Sequence, residues 1–150
     1  MTALDPTSRS DALARAAVIG RTAGWRLREG KVAAATALLD HALDICCRDG
    51  GPCERVRLEL LQTRAACHEQ AGDLCAAAVD LRATIELAER LGDRRVAADA
   101  SSRIAAALEG AGDCAHARYY AEQARTLYVT LEDWPGVGRL LTVLGRLPVA

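Results

Sequence analysis

A chain of 150 residues is long enough for one domain and too short for two of ordinary size. Hydrophobic residues make up 51% of it, but Ala and Leu dominate them, Phe is absent and aromatic residues reach only 3%, which argues against an all-β fold. Charged residues contribute 26% with a net charge of −1, which argues against disorder and leaves no overall field to attract nucleic acid or an anionic membrane.

The N-terminal segment, residues 1–10, is polar and lacks the basic start and apolar centre of a secretory signal peptide. No apolar run in the sequence approaches the roughly 20 residues that a membrane-spanning helix needs. We therefore expect a cytoplasmic protein that binds neither membrane nor nucleic acid.

From about residue 9 onward, apolar residues recur at helical spacing, and no alternating stretch is long enough for a strand. The breaks between apolar segments carry Asp, Gly and Pro, which are typical of turns. The pattern predicts an all-α protein of seven helices, over residues 9–28, 31–48, 54–71, 73–91, 94–111, 113–131 and 135–147.

Three of the predicted turns are alike and contain Gly30, Gly72 and Gly112, which lie 42 and 40 residues apart. Small or aliphatic residues recur at fixed offsets from each glycine: seven residues before it, and five, nine and twelve residues after it. Such agreement around three glycines indicates an internal repeat. In the order of the offsets, the residues are Ala23, Ala65 and Ala105; Ala35, Ala77 and Ala117; Leu39, Leu81 and Ala121; and Ala42, Thr84 and Ala124.

Helix-on-helix packing explains this spacing. A residue without a Cβ adopts the left-handed conformation that ends a helix, so each turn glycine is expected to close one helix. Asp73 and Asp113 follow two of the glycines and are placed to accept hydrogen bonds from the first N–H groups of the next helix. The alanines allow two antiparallel helices to approach closely. The sequence therefore predicts antiparallel helix pairs that repeat about every 40 residues.

This pattern resembles the tetratricopeptide family in its long-helix form, from about residue 11 to the end, and most closely over residues 91–131. Thr84 departs from the family's second small residue, and Ile19, Leu61 and Ser101 replace its usual first-helix aromatic residue. The resemblance implies a right-handed α-solenoid in a single domain spanning 1–150, with three repeats at 9–50, 53–91 and 93–132 and a C-terminal helix at 135–147.

The resemblance also implies that the first helix of each pair lines a concave, peptide-binding face. Small residues such as Ala17, Gly20 and Gly24 are expected to admit a ligand there, and charged residues to pair with it. The alternative is an ordinary solvated helix face. The side chains expected to contact the peptide are Arg21, Glu59, Gln62, Glu69, Asp99, Arg103 and Arg139.

The last predicted helix, 135–147, is more apolar than the cap of a repeat array should be. It resembles the first half of a fourth repeat, because Gly145 lies 40 residues after Ala105. An uncovered apolar face usually marks an interface. We expect Leu140, Leu144 and Leu147 to pack against a second copy of the chain, a partner protein or further chain.

The six cysteines lie in an Ala-rich chain without an export signal, so most are expected to be small buried apolar residues. Their spacing is not that of a zinc site, and we expect no metal. Two alternatives stay open: soft metal ligands near the later turns, including Cys67, His68 and Cys75, and a redox role for Cys46, Cys47 and Cys53.

No motif supports catalysis, because none of the three histidines stands beside a nucleophile in a known motif and no glycine-rich phosphate loop is present. We therefore expect a non-catalytic adaptor that binds another protein or a peptide, with no catalytic residues and no cofactor. Two other functions stay open. One is a module of a bacterial transcription or signalling system that senses a peptide or small ligand, and the other is an accessory protein of a biosynthetic pathway.

Overall fold

The computed structural model describes residues 6–48 and 53–149, and every regular element in these ranges is an α-helix. The all-α class is confirmed, and the largest difference from a predicted helix boundary is three residues, at the start of α1. Within these ranges, no helix is both long and apolar enough to cross a lipid bilayer. The helices are α1 (Pro6–Arg28), α2 (Val32–Arg48), α3 (Glu54–Ala71), α4 (Leu74–Leu91), α5 (Arg94–Gly110), α6 (Cys114–Thr130) and α7 (Trp134–Arg146).

Left-handed residues lie in the turns between these helices. Gly30, Gly72, Gly92 and Gly112 have φ angles of 76°, 79°, 70° and 83°. After Gly30, Gly92 and Gly112, the next residue donates its N–H to a carbonyl five residues earlier, as Asp113 does to Leu108 at 2.9 Å. The left-handed conformation predicted for Gly30, Gly72 and Gly112 is confirmed.

Each helix from α4 onward begins at an aspartate cap. The side chains of Asp73, Asp93, Asp113 and Asp133 accept a hydrogen bond from the N–H three residues later, at 3.0, 3.2, 3.3 and 3.0 Å. The caps predicted at Asp73 and Asp113 are confirmed. Because the four aspartates stand 20 residues apart, the repeat seen in the sequence contains a shorter step of one helix and one turn.

The repeated small residues lie in the core. All twelve residues at the four offsets from Gly30, Gly72 and Gly112 have no exposed surface. Thr84 stands where the other two repeats have alanine, and its hydroxyl donates to the carbonyl oxygen of Asp80 at 2.8 Å. The sequence periodicity therefore marks buried positions, where small side chains allow α1 to pack on α2 and α5 to pack on α6.

The helices form two compact units, one of α1–α3 and one of α4–α7. In the first unit, α1 contacts both α2 and α3, and α3 approaches α1 closely at Gly20, where a Cβ would lie 2.6 Å from Leu60 Cδ2. In the second unit, α5 packs on α4, α6 and α7. Gly136 allows α7 to approach α6, because a Cβ there would lie 2.6 Å from Tyr128 Cδ1.

The apolar side of α7 is already covered. Leu140 is fully buried in a cluster with residues of α5 and α6, and Leu147 is only 4% exposed. Leu144 packs half-buried against the same cluster. The prediction of an open apolar face is therefore wrong for Leu140 and Leu147, because the protein's own core covers these side chains. The large apolar residues that α7 does expose are Trp134, at its first position, and Leu141.

Leu140→Ala is expected to lower the free energy of unfolding by about 3 kcal/mol, because it leaves a cavity in a packed core. Leu141 is 54% exposed, so Leu141→Ala should change that free energy by less than about 0.5 kcal/mol. Urea denaturation followed by circular dichroism measures both variants. Equal losses for the two would contradict the burial of Leu140.

Glu132 occupies, before α7, the turn position that glycine holds before α5 and α6, with a φ of 55°. A side chain costs roughly 1 kcal/mol in this conformation. Glu132→Gly is therefore expected to raise the free energy of unfolding by about 1 kcal/mol. Gly112→Ala is the matched control and should lower it by a similar amount through the backbone alone, since a Cβ there meets nothing within 4 Å. Thermal denaturation measures both, and a less stable Glu132→Gly protein would refute the account.

Candidate functional site

A groove runs between α1 and α3 in the first unit, with a volume of about 500 Å³. The predicted concave-face residues of α1 line it, together with Glu59 of α3, so the structure brings Arg21 and Glu59 to one site. We call it the α1–α3 groove. Its lining residues are Ala17, Gly20, Arg21, Gly24, Trp25 and Arg28 of α1, and Val56, Glu59, Leu60 and Thr63 of α3.

Two glycines of the groove have different roles. Gly20 is needed for packing, because any side chain there would collide with Leu60. Gly24 is not needed for packing, because a Cβ there would meet nothing within 4 Å. A glycine inside a helix costs about 1 kcal/mol relative to alanine. The protein bears this cost at Gly24 without a packing reason, and the result is an open place on the groove floor.

The charges of the groove are available to a ligand. Arg21, Arg28 and Glu59 make no ion pair or hydrogen bond through their side chains with the described part of the chain. On the same helix, Arg26 lies 3.2 Å from Glu29, which Lys31 also contacts at 3.0 Å. Lys31 and Arg26 thereby hold the pKa of Glu29 below its usual value. Arg26 therefore already has a carboxylate partner, whereas Arg21 and Arg28 have none in the part of the chain that the structure describes.

Trp25 is a functional candidate that the sequence analysis missed. It lines the groove, and its side chain is 65% exposed. It stands four residues after Arg21 and three before Arg28, which places the three side chains on one side of α1. That helical spacing was visible in the sequence. The comparison of repeats selected small residues, however, and Trp25 has no counterpart among them.

Gln62 and Glu69, the other predicted residues of α3, are half-buried and do not line the groove. In the second unit, Arg103 lies half-buried on α5.

Asp99 of α5 and Arg139 of α7 come together around a buried phenol. The hydroxyl of Tyr128 donates to Asp99 Oδ1 at 2.6 Å, and Arg139 and Ser102 lie near enough to the phenol to lower its pKa. Burial, followed by the hydrogen bond and charge of Asp99, raises the pKa of Tyr128 to about 12. The hydrogen bond from Tyr128 joins α6 to α5, so Asp99 already has a partner within the second unit, and Arg139 of α7 lies beside the same phenol.

Arg95 extends the polar network of the second unit. Its Nη2 lies 3.0 Å from Asp133 Oδ2, an ion pair that lacks hydrogen-bond geometry, and its Nε lies 3.8 Å from Asp99 Oδ2. Asp99 and Asp133 therefore each already have a cationic or phenolic neighbour. The α1–α3 groove differs, because its charged side chains have no partner in the described ranges.

The cysteines of the described ranges are free thiols: Cys46 and Cys67 are buried, Cys53 and Cys114 are half-buried, and Cys47 and Cys75 are exposed. Within residues 6–48 and 53–149, no three His, Cys, Asp or Glu side chains are grouped so that they could hold a metal ion.

Comparison of the sequence with protein-family models finds no match, and comparison with curated proteins finds none that is similar.

Spectrophotometric titration tests the Tyr128 cluster. Tyr128 should ionise late, near pH 12, because its phenol is buried and its tyrosinate would face Asp99. Asp99→Asn should lower this pKa but leave it above 10, since burial is the larger cause. Tyr128→Phe should remove the late step altogether. If an ionisation near pH 12 remains in Tyr128→Phe, it belongs to another residue and the assignment to Tyr128 is wrong.

Proposed function

We propose that this protein is a non-catalytic binding module of the tetratricopeptide-like type, and that its α1–α3 groove binds a short acidic peptide segment of another protein. The proposal rests on Arg21 and Arg28, which have no side-chain partner within residues 6–48 and 53–149. They lie on either side of the exposed Trp25, above the open floor at Gly24.

The shape of the groove favours a peptide. Along α1, the lining extends from Ala17 to Arg28, roughly 16 Å at the helical rise per residue. About five residues of an extended chain cover that length. Gly24 leaves its place on the floor open and Ala17 adds only a methyl group, which leaves room for the ligand's backbone, whereas the space at Gly20 is filled by Leu60.

The chemistry of the walls favours carboxylates together with an apolar side chain. Guanidinium groups bind carboxylates through two parallel hydrogen bonds, and Arg21 and Arg28 outnumber the single carboxylate, Glu59. Trp25 offers a large apolar surface of the kind that contributes most binding energy at interfaces. The preferred segment therefore carries acidic residues around one apolar side chain.

A second candidate function, the sensing of a small anionic ligand, is favoured by the volume of the groove. About 500 Å³ lies within the range of sites that bind small molecules. A thermal-shift screen of small carboxylates and phosphates distinguishes the two candidates. A peptide-binding groove predicts little stabilisation by any of them.

An array of short random-sequence peptides tests the proposal on the purified chain. Bound peptides should be rich in Asp and Glu, and Arg21→Glu or Arg28→Glu should weaken their binding at least tenfold, because each variant replaces a charge-assisted hydrogen bond with repulsion. Arg15→Glu is the matched control, because it makes the same change in net charge. Arg15 is exposed on the same helix but lies outside the groove. Equal effects of Arg15→Glu and Arg21→Glu, or no enrichment of acidic peptides, would refute the proposal.

Gly24→Leu separates binding from folding. Leucine is a better helix former than glycine, and Gly24 has open space around it, so the variant should be more stable by about 0.5 kcal/mol. Its side chain should fill the floor of the groove and weaken peptide binding at least tenfold. Urea denaturation and fluorescence polarisation with a labelled array peptide give the two readouts. Unchanged binding in a stable Gly24→Leu protein would place the peptide elsewhere.

A further inference from the structure

Two cysteines meet where α2 ends and α3 begins. Cys46 lies in the last turn of α2, and Cys53 lies immediately before α3. The Cys53 thiol donates to the carbonyl oxygen of Cys46 at 3.3 Å, and it lies near enough to the Cys46 thiol to raise the pKa of that thiol. Their sulfurs are therefore close before any bond joins them.

The neighbouring thiol is placed differently. Cys47 follows Cys46 in the sequence, but successive side chains of a helix point about 100° apart. Cys46 is 5% exposed, whereas Cys47 is exposed and makes no hydrogen bond with Cys53 in the described ranges. In the folded chain, the Cys53 thiol is therefore hydrogen-bonded to Cys46 and not to Cys47.

From this geometry, we propose that Cys46 and Cys53 form an oxidisable dithiol, which a peroxide converts into a disulfide between the end of α2 and the start of α3. The inference is independent of the peptide-binding proposal, because it rests on sulfur positions outside the groove lining.

The exposure of the two thiols sets the order of the steps. Cys53 is the more accessible sulfur, so its thiolate attacks the peroxide, forms a sulfenic acid and releases hydroxide. The Cys46 sulfur then attacks the Cys53 sulfur, the S–S bond forms and the S–O bond breaks. The proton of the Cys46 thiol goes to the departing hydroxide, which leaves as water. Overall, two thiols lose two electrons and two protons, and hydrogen peroxide is reduced to two molecules of water.

Burial explains why Cys46 reacts in the second step, after Cys53. Its surroundings raise the pKa of its thiol to about 12, with desolvation as the largest cause and Cys53 as the next. A buried thiol of this kind is a poor first nucleophile. It reacts once the adjacent sulfur has become electrophilic. Arg57, one turn into α3, acts in the opposite direction by favouring the anion.

Peptide mapping of the peroxide-treated full chain tests the inference. Trypsin cuts after Arg48, so a bond between Cys46 and Cys53 joins the tryptic peptides 32–48 and 49–55 into one species lighter by two hydrogen atoms. Remaining thiols are alkylated before digestion. The joined species should appear in the native protein and in Cys47→Ser, and it should be lost in Cys53→Ser and reduced at least tenfold in Cys46→Ser.

A denatured control shows whether the fold selects the pair. In guanidinium chloride, Cys46 and Cys47 should compete for Cys53 on nearly equal terms, so Cys46→Ser and Cys47→Ser should then give similar yields. Selectivity for Cys46 in the folded chain alone supports the inference. The absence of the joined species after peroxide treatment, or its loss in folded Cys47→Ser and not in Cys46→Ser, would overturn it.

Discussion

Close packing between helices through small side chains is the constraint on which this structure depends. Alanine buries little apolar surface, so a contact between two alanines stabilises the fold far less than one between leucines. The compensation is proximity, because short side chains allow backbones to approach and dispersion contacts to multiply. Gly20 against Leu60 and Gly136 against Tyr128 are the extreme cases, since each leaves no room for even one methyl group.

The turns fix which side of each helix is buried. A left-handed residue followed by an aspartate cap ends one helix and begins the next within a few residues, and the pair recurs at a step of 20 from Gly72 to Asp133. A constant step keeps equivalent residues at equivalent rotations around their helices. Buried positions therefore recur along the chain, and so do the positions left facing outward. Glu132 shows that the turn geometry persists even where glycine has been replaced.

Sequence reasoning succeeded where the causes are local. Helix ends, glycine turns and the caps at Asp73 and Asp113 depend on neighbouring residues, and the offsets from the glycines marked positions that are all buried. It failed where the partner is distant in the sequence. The sequence shows an apolar face on the last helix and so predicts an open Leu140, but it does not show that residues such as Tyr128 cover this face. For the same reason, the sequence does not show that Asp99 accepts a hydrogen bond from Tyr128, which lies 29 residues away.

The charged side chains around Asp99 and Asp133 in the second unit differ from those of the α1–α3 groove, and this difference bears on where a ligand would bind. In the second unit, Asp99 and Asp133 face Tyr128 and Arg95, so a ligand would have to displace contacts that already exist. In the α1–α3 groove, no such contact has to be broken within the described ranges. Water alone must leave Arg21, Arg28 and Trp25, and both the desolvated charges and the covered ring gain a partner on binding. Gly24 adds to the argument, because alanine at that position would make α1 more stable without colliding with anything. The loss of helix stability at Gly24, in a groove whose charged side chains have no partner within residues 6–48 and 53–149, supports the proposal that a ligand occupies this space.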